Sequence, residues 1–352
     1  MFFGTVERPP RLSEFEFEIP EKLIAQHPSK KREDCKLMVV HKDSGKIEHK
    51  KFKYVTDFFN KGDVLVLNNT QVFSARLFAN KDKSDAKVEV FLLRELENDL
   101  WEAMVKPARK VRIGNKLIFN ENISCDVIDN TVSGGRVLRF EYNGENLYSF
   151  IDKNGFSPLP PYIKRDPLPE DKKNYQTVYA SRRGSVAAPT AGLHFSKDLL
   201  KKLEKKGVKV AYVTLHIGLG TFRSILVEDL TRHHMDSEYY EVPQETADLI
   251  NEAKAKKKKV WTVGTSTVRT LETVVVSGFQ ITPKQGWTDK FIYPPYKFKM
   301  SDRLITNFHT PKSTLMLLVA AFANKDLVLE AYQEAIKKKY RFYSYGDAML
   351  LL

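Results

Sequence analysis

Cysteine is almost absent: Cys35 and Cys125 are the only two in 352 residues, and they stand far apart. That excludes a cysteine-rich zinc module and gives no support to a disulfide framework, so both are expected to be ordinary buried or partly buried thiols. No run of about 18 apolar residues occurs, and the first twenty residues, MFFGTVERPPRLSEFEFEIP, lack the charged, apolar and small-residue order of a secretory signal. A soluble, cytoplasmic protein is therefore expected. The dinucleotide pattern GxGxxG is missing its third glycine, because GLGTFRS places Arg223 there, and GxxxxGK[ST], HExxH and paired-cysteine spacings do not occur. No repeat of fixed period is present.

What the chain has in excess is positive charge. Lys and Arg number 57 against 44 Asp and Glu, a formal net charge of +13 and a sequence pI near 9.4. Such a balance attracts polyanions by long-range steering and counterion release, and nucleic acid is the foremost polyanion. Individual runs such as KKLEKKG (201–207) and KAKKKK (254–259) also fit solvated helix ends. The length favours two domains, each with its own core.

The texture of the chain changes twice. CKLMVVHKDSGKIEHKKF reads as a hairpin around Asp43-Ser44-Gly45, and GDVLVLNN as a buried strand. From about 72 to 152, VFSARLFA, KVEVFLLREL, LWEAMVK, KLIFN, ISCDVI, GRVLRFEY and LYSFI follow at short intervals between turn-like segments, the pattern of a small antiparallel barrel or sandwich. SPLPPYIKRD (157–166) closes that segment as a linker or fixed loop. Beyond 175 helices and strands alternate: Ser196 caps KDLLKKLEKK, Gly207 ends it, and VKVAYVTLHIG follows as a strand. ETADLINEAKAK, KVWTVGT, STVRTLETVVV, STLMLLVAAFA, DLVLEAYQEAIKKKY and AMLLL continue the alternation. The expected architecture is an α/β domain built from residues 1–71 and 153–352, with an all-β barrel-like domain inserted at 72–152.

Five of the eight histidines fall in the C-terminal half, in AGLHF, TLHIGLGTF, RHHMDSE and TNFHTPKS. Two-residue alternation in the strand ending near 218 places Thr214 and His216 on one face. The run GSVAAPTAGLHFS (184–196) fits neither helical nor strand period, and its small residues suit close backbone approach to a ligand or a neighbouring element. In TVGTSTVRTLE a strand, a small polar loop and a helix follow one another, so free amides at the helix start can meet a carboxylate or phosphate. YRFYSYGDAM (340–349) sets Arg341, Tyr343, Tyr345 and Asp347 close together, which suits either a base clamp or a packed C-terminal plug.

Taken together, LIAQHP (23–28), YQTVYA (175–180), GSVAAPTAGLHF, VTLHIGLGTF, VGTSTVRTLE, GWTDKFIYPPYKF (286–298), LITNFHTPKSTL (304–315) and YRFYSYGDAM resemble one family in its own order across nearly the whole chain. It is the S-adenosylmethionine:tRNA ribosyltransferase-isomerase family of queuosine biosynthesis. Departures are Asn69 and Gln71 in NNTQVFSARL, Asp236 in HHMDSE and Pro295 in YPPY. The resemblance implies that the ribosyl part of S-adenosylmethionine moves onto the aminomethyl group of a 7-deazaguanine at the tRNA wobble position. Adenine and methionine depart, and the sugar rearranges to the epoxycyclopentane of epoxyqueuosine. S-adenosylmethionine is then a consumed co-substrate, with no retained cofactor and no metal, and the protein is expected to act as a monomer away from membranes.

That chemistry needs a base for the carbon beside the sulfonium, a proton for departing adenine and a neutral amine. His194, His216 and His309 are the acid/base candidates, and Glu238 and Glu272 the carboxylate candidates, which act on protons or fix partners. Gly192, Thr214, Gly218, Gly220, Thr265, Ser266 and Arg269 are expected to line the S-adenosylmethionine site, Arg269 pairing with its carboxylate. Arg76, Lys106, Arg109, Lys164, Arg165, Arg182 and Arg183 are expected to bind tRNA phosphates. A histidine-rich metallohydrolase and a noncatalytic RNA-binding protein stand as alternatives from other classes.

Overall fold

Val64–Asn68 reads VLVLN because it lies at the centre of a sheet buried on both faces. The computed structural model describes residues 10–352 except 85, 145 and 223. Nine strands form the sheet, in the order Lys284–Thr288, Glu238–Val242, Lys209–Leu215, Val64–Asn68, Val260–Val263, Arg303–Asn307, Ala348–Leu351, Lys36–Val40 and Ile47–Lys51. The four from Lys209–Leu215 to Arg303–Asn307 are parallel, so their carboxyl ends emerge along one edge.

Alternation along the central strand decides the layers. Leu65 and Leu67 share a core with Leu199, Leu200 and Leu203 of the helix Lys197–Lys205. Val64 and Val66 share another with Ala247, Ile250 and Ala253 of the helix Gln244–Ala255 and with Leu271. Each fully buried leucine contributes about 1.5–3 kcal/mol, so these two faces bind helices to sheet. Ser196 caps the first helix as expected, accepting from the Leu199 N–H at 3.0 Å. The lysines of 256–259 are exposed beyond the end of the second.

The barrel strands occupy one continuous stretch of chain. Six antiparallel strands close in the order Arg136–Tyr142, Leu100–Lys106, Lys87–Glu97, Arg76–Lys81, Lys116–Ile118 and Ile123–Asn130. Leu77, Val88, Val90, Leu92, Trp101, Ala103, Cys125, Val127 and Leu138 fill its interior at alternate positions. The segment LYSFI, expected as a last strand, is instead the start of the helix Leu147–Asn154. Asn146 caps it by accepting from the Ser149 N–H, and Leu147, Phe150 and Ile151 turn one apolar stripe to the barrel core. The way in and the way out are zipped together: Thr70–Val72 runs parallel to Arg182–Ser185, and Arg76 bridges Phe156.

The ending YRFYSYGDAM is chiefly a packed plug. Tyr340, Phe342 and Tyr345 are buried, and Asp347 accepts from the backbone N–H groups of Lys36 and Arg341 at 2.9 and 2.7 Å. Ala348–Leu351 then enters the sheet between Arg303–Asn307 and Lys36–Val40. Among the described residues no helix is long and apolar enough to cross a membrane.

Candidate active site

Ligands in open α/β sheets collect outside the carboxyl ends of parallel strands, and four elements meet there in this chain. Val260–Val263 passes through Gly264 into the helix Thr265–Val274, whose first amides have no helical acceptor. Arg303–Asn307 delivers Thr306, Asn307, Phe308, His309 and Thr310. Lys209–Leu215 delivers His216, Ile217 and Gly218. Asn68 stitches them together: its Nδ2 donates to the Leu215 carbonyl and Ser266 Oγ at 3.0 and 3.1 Å, and its Oδ1 accepts from the N–H groups of Thr70 and Leu215.

Two hollows result, and they share a wall. One is a narrow slot of about 70 Å3, lined among others by Ala188–Ala191, Thr265, Ser266, Arg269, Lys290, Asn307, His309 and Thr314. The other is a cleft of about 760 Å3 between barrel and sheet, lined by Arg94, Tyr148, Arg183, His216, Gly218, Gly220, Asp236, Tyr239 and Trp287. Ile217 and Glu238 belong to both.

Glu238 and Arg269 are a buried ion pair, their side chains 4% and 6% exposed. Glu238 Oε1 also accepts from the Gly218 N–H at 2.8 Å. Arg269 Nη1 donates to Glu238, its Nε to the Lys290 carbonyl at 2.9 Å, and its Nη2 faces the Thr288 carbonyl at 3.4 Å. The Arg269 guanidinium, expected to meet a ligand carboxylate, is thus engaged by a carboxylate of the protein and orients Glu238. Lys290, whose ammonium burial holds below its usual range, lines the same slot.

The three histidines occupy three settings. His309 lines the slot, its Nε2 at 2.7 Å from Thr306 Oγ1 and its backbone N–H donating to Tyr332 Oη. His216 lines the cleft, with Nδ1 at 2.8 Å from Thr70 Oγ1 and its ring stacked on Tyr239 at 5.5 Å. His194 lines neither. It lies behind Asn307, between Cys35 Sγ at 3.2 Å and Asn307 Nδ2 at 3.3 Å. Burial pulls His194 and His309 down to about 3 and His216 to about 4, with the Arg341 and Arg32 charges adding to the effect at His194. Burial raises the Cys35 thiol far above its ordinary range, so Cys35 and His194 form a neutral pair, not a thiolate nucleophile.

These depressed histidines predict acid lability. Below the unfolded value near 6.5, an unfolded chain binds protons that the folded one refuses until about 4 to 3. Stability present above pH 6.5 is thus lost as pH falls, by up to about 1.4 kcal/mol per pH unit for each histidine. Denaturant midpoints measured from pH 7.5 to 4.5 should show it, and His194→Gln should flatten the slope by one proton. An unchanged slope in that variant removes His194 from the account.

Other expected site residues fall outside the hollows. Glu272 accepts from the backbone N–H groups of Lys299 and Met300 and from Tyr296 Oη, anchoring that loop. Thr214 is buried, its hydroxyl donating to Asn69 Oδ1 at 2.7 Å. Gly192 lies against Tyr179, where any Cβ would collide with the phenol oxygen. Close packing, more than ligand contact, accounts for that end of the small-residue run. At its other end Gly184 has φ +152°, and a Cβ there would come within 2.6 Å of His216 Nε2.

Of the seven expected phosphate ligands, Arg165 is committed to the buried Asp171 by two bonds at 2.7 and 2.8 Å, a network completed by Tyr345 Oη. Although burial works to raise it, the Asp171 carboxyl lies below its usual range because Arg165, the Leu168 N–H and Tyr345 bind it. Arg76 pairs with Glu89 and Lys164 with Glu21 at 2.7 and 2.5 Å. Lys106, Arg109 and Arg182 are exposed. Arg183 pairs with Asp152 and lies over the rings of Phe73 and Tyr148 at 5.3 and 5.5 Å, forming one flank of the cleft. Across the cleft Arg94 lies over Trp287, which is 56% exposed. Asn307, Lys290, Thr314, Arg94 and Trp287 were not anticipated; blocks such as NFHTPKST marked the neighbourhoods of the others, whereas Arg94 lies in KVEVFLLREL, read only as a strand.

The model of a family described as queuosine biosynthesis protein matches residues 12–351. An S-adenosylmethionine:tRNA ribosyltransferase-isomerase of Flavobacterium psychrophilum is 54% identical over 348 residues, covering 97% of this chain and 100% of the relative. One of Cytophaga hutchinsonii is 50% identical over 347 residues, with 97% and 100% covered. The crystal structure of the S-adenosylmethionine tRNA ribosyltransferase of Thermotoga maritima superposes with a TM-score of 0.55 at 37% identity, covering 96% of this chain and 100% of that one.

Proposed function

This chain belongs to the queuosine biosynthesis protein family, and from that premise we propose that its slot and its cleft receive the two substrates of one reaction. The enzyme transfers the ribosyl part of S-adenosylmethionine to tRNA and isomerises it. S-adenosylmethionine lies in the slot as a consumed co-substrate, and the acceptor, a 7-aminomethyl-7-deazaguanine at the wobble position, enters from the cleft. Adenine and methionine leave, and the product is epoxyqueuosine-tRNA. The observation that carries this arrangement is the shared wall: Glu238 faces both hollows, where a ribosyl carbon has to pass from one substrate to the other.

The roles follow from charge. The Glu238 carboxylate, held by Arg269, meets the positive sulfonium in a buried place where such an interaction is poorly screened. Lys290 meets the methionyl carboxylate. Burial leaves His309 neutral at pH 7, so it accepts a proton in the slot before it can deliver one to adenine. His216, equally neutral on the cleft side, takes the proton the substrate amine loses before it attacks. Trp287 and Tyr148, each with an arginine over its ring, flank the path of the base.

Incubation with S-adenosylmethionine and tRNA carrying the aminomethyl base should release adenine and methionine in equal amounts and add a ribosyl mass to the tRNA. His309→Gln should slow adenine release by roughly 100- to 10,000-fold, the usual contribution of a positioned proton carrier. Binding of tRNA without adenine release by the wild type would leave only an RNA-binding protein, and loss of activity on chelation would point to the metallohydrolase.

A further inference from the structure

Asn307, which ends the strand Arg303–Asn307, is 1% exposed and lines the slot. Its Nδ2 donates to the Tyr343 carbonyl at 3.1 Å and to His194 Nε2 at 3.3 Å. Turning the amide over would set Oδ1 against the Tyr343 carbonyl, acceptor against acceptor, so this network fixes its orientation. His194 Nε2 is then the acceptor, and the imidazole hydrogen on Nδ1 faces Cys35 Sγ. Both amide hydrogens of Asn307 are committed, whereas Oδ1 has no hydrogen-bond partner among the described residues. Thr314 Oγ1, buried on the same slot, has none either. A buried acceptor without a donor is destabilising, so one carried by a residue that lines the slot marks where a ligand supplies the hydrogen.

On the premise that the slot holds S-adenosylmethionine, we infer that Asn307 Oδ1 accepts a hydrogen bond from the exocyclic amine of its adenine and thereby selects an aminopurine over an oxopurine. Phe308, Leu315 and Leu318 line the slot, apolar surface that suits a flat ring. The methionyl ammonium requires a carboxylate, which the amide oxygen of Asn307 does not supply. Because its hydrogens are tied to Tyr343 and His194, Asn307 cannot turn to donate, and a 6-oxo group would bring two acceptors together. His194, which contacts neither hollow, is the positioning residue behind this selection.

Calorimetric titration of the full-length protein with S-adenosylhomocysteine and S-inosylhomocysteine tests the assignment without catalysis. The wild type should prefer the adenine compound by roughly tenfold to a hundredfold. Asn307→Ala should bring the two within about threefold, chiefly by losing affinity for the adenine compound. Equal binding of both by the wild type overturns the inference with no variant needed, as does an Asn307→Ala protein that keeps the full preference. Adenine release by the same wild-type preparation separates the two levels: an active enzyme without the preference sinks only the role of Asn307, and an inactive one sinks the ribosyl-transfer premise as well.

Discussion

Arg269→Met is expected to destabilise the fold by about 3–5 kcal/mol and to abolish adenine release, because it leaves a buried carboxylate without its counter-charge. Glu238 is 4% exposed and cannot recover the lost interaction from bulk water. Combining Arg269→Met with Glu238→Leu should restore much of the stability, since an apolar pair removes both desolvation penalties, yet the double variant should stay inactive. Urea denaturation of the single and double variants gives the coupling energy. If Arg269→Met unfolds at the wild-type midpoint, the pair does not hold the wall between slot and cleft, and Glu238 loses its assigned place in the chemistry.

Trp287→Ala is expected to weaken tRNA binding by roughly tenfold to a hundredfold, following the usual 1–3 kcal/mol per stacked base. The indole is 56% exposed, so its removal should leave stability nearly unchanged. Salt separates stacking from charge. Loss of the ring should lower affinity equally at every salt concentration, whereas Lys106→Ala, Arg109→Ala or Arg182→Ala should each reduce the slope of log affinity against log salt by about 0.7–0.9 where a phosphate contact is lost. Fluorescence anisotropy across a salt series reads both. Wild-type affinity in Trp287→Ala removes the cleft as the path of the base, and a flat response in the wild type removes the phosphate contacts.

Much of the scaffold was legible because its signals are local. The apolar run VLVLN, the Ser196 cap and the short strands of the barrel each depend on neighbours within a few residues, and each appears where expected. LYSFI misled because five residues cannot distinguish a strand from the first turns of a helix; Asn146 was the available sign of a cap. The histidine loops and TVGTST marked the neighbourhood of the site, yet the side chains' roles separated only on folding. His194 and Glu272 sit in blocks as distinctive as that of His309, but one supports Asn307 from behind and the other anchors the backbone at 299–300.

By itself the sequence determined the alternating layers, the inserted run of short strands, the basic charge and the family, since periodicity, capping and motif order are written along the chain. Only the tertiary structure decided that Arg269 serves Glu238, that Arg165 serves Asp171, and that Asn307 Oδ1 finds no donor among the described residues. Those facts depend on which groups from distant segments come within hydrogen-bond reach and lose their water together, and spacing along a chain carries no record of that.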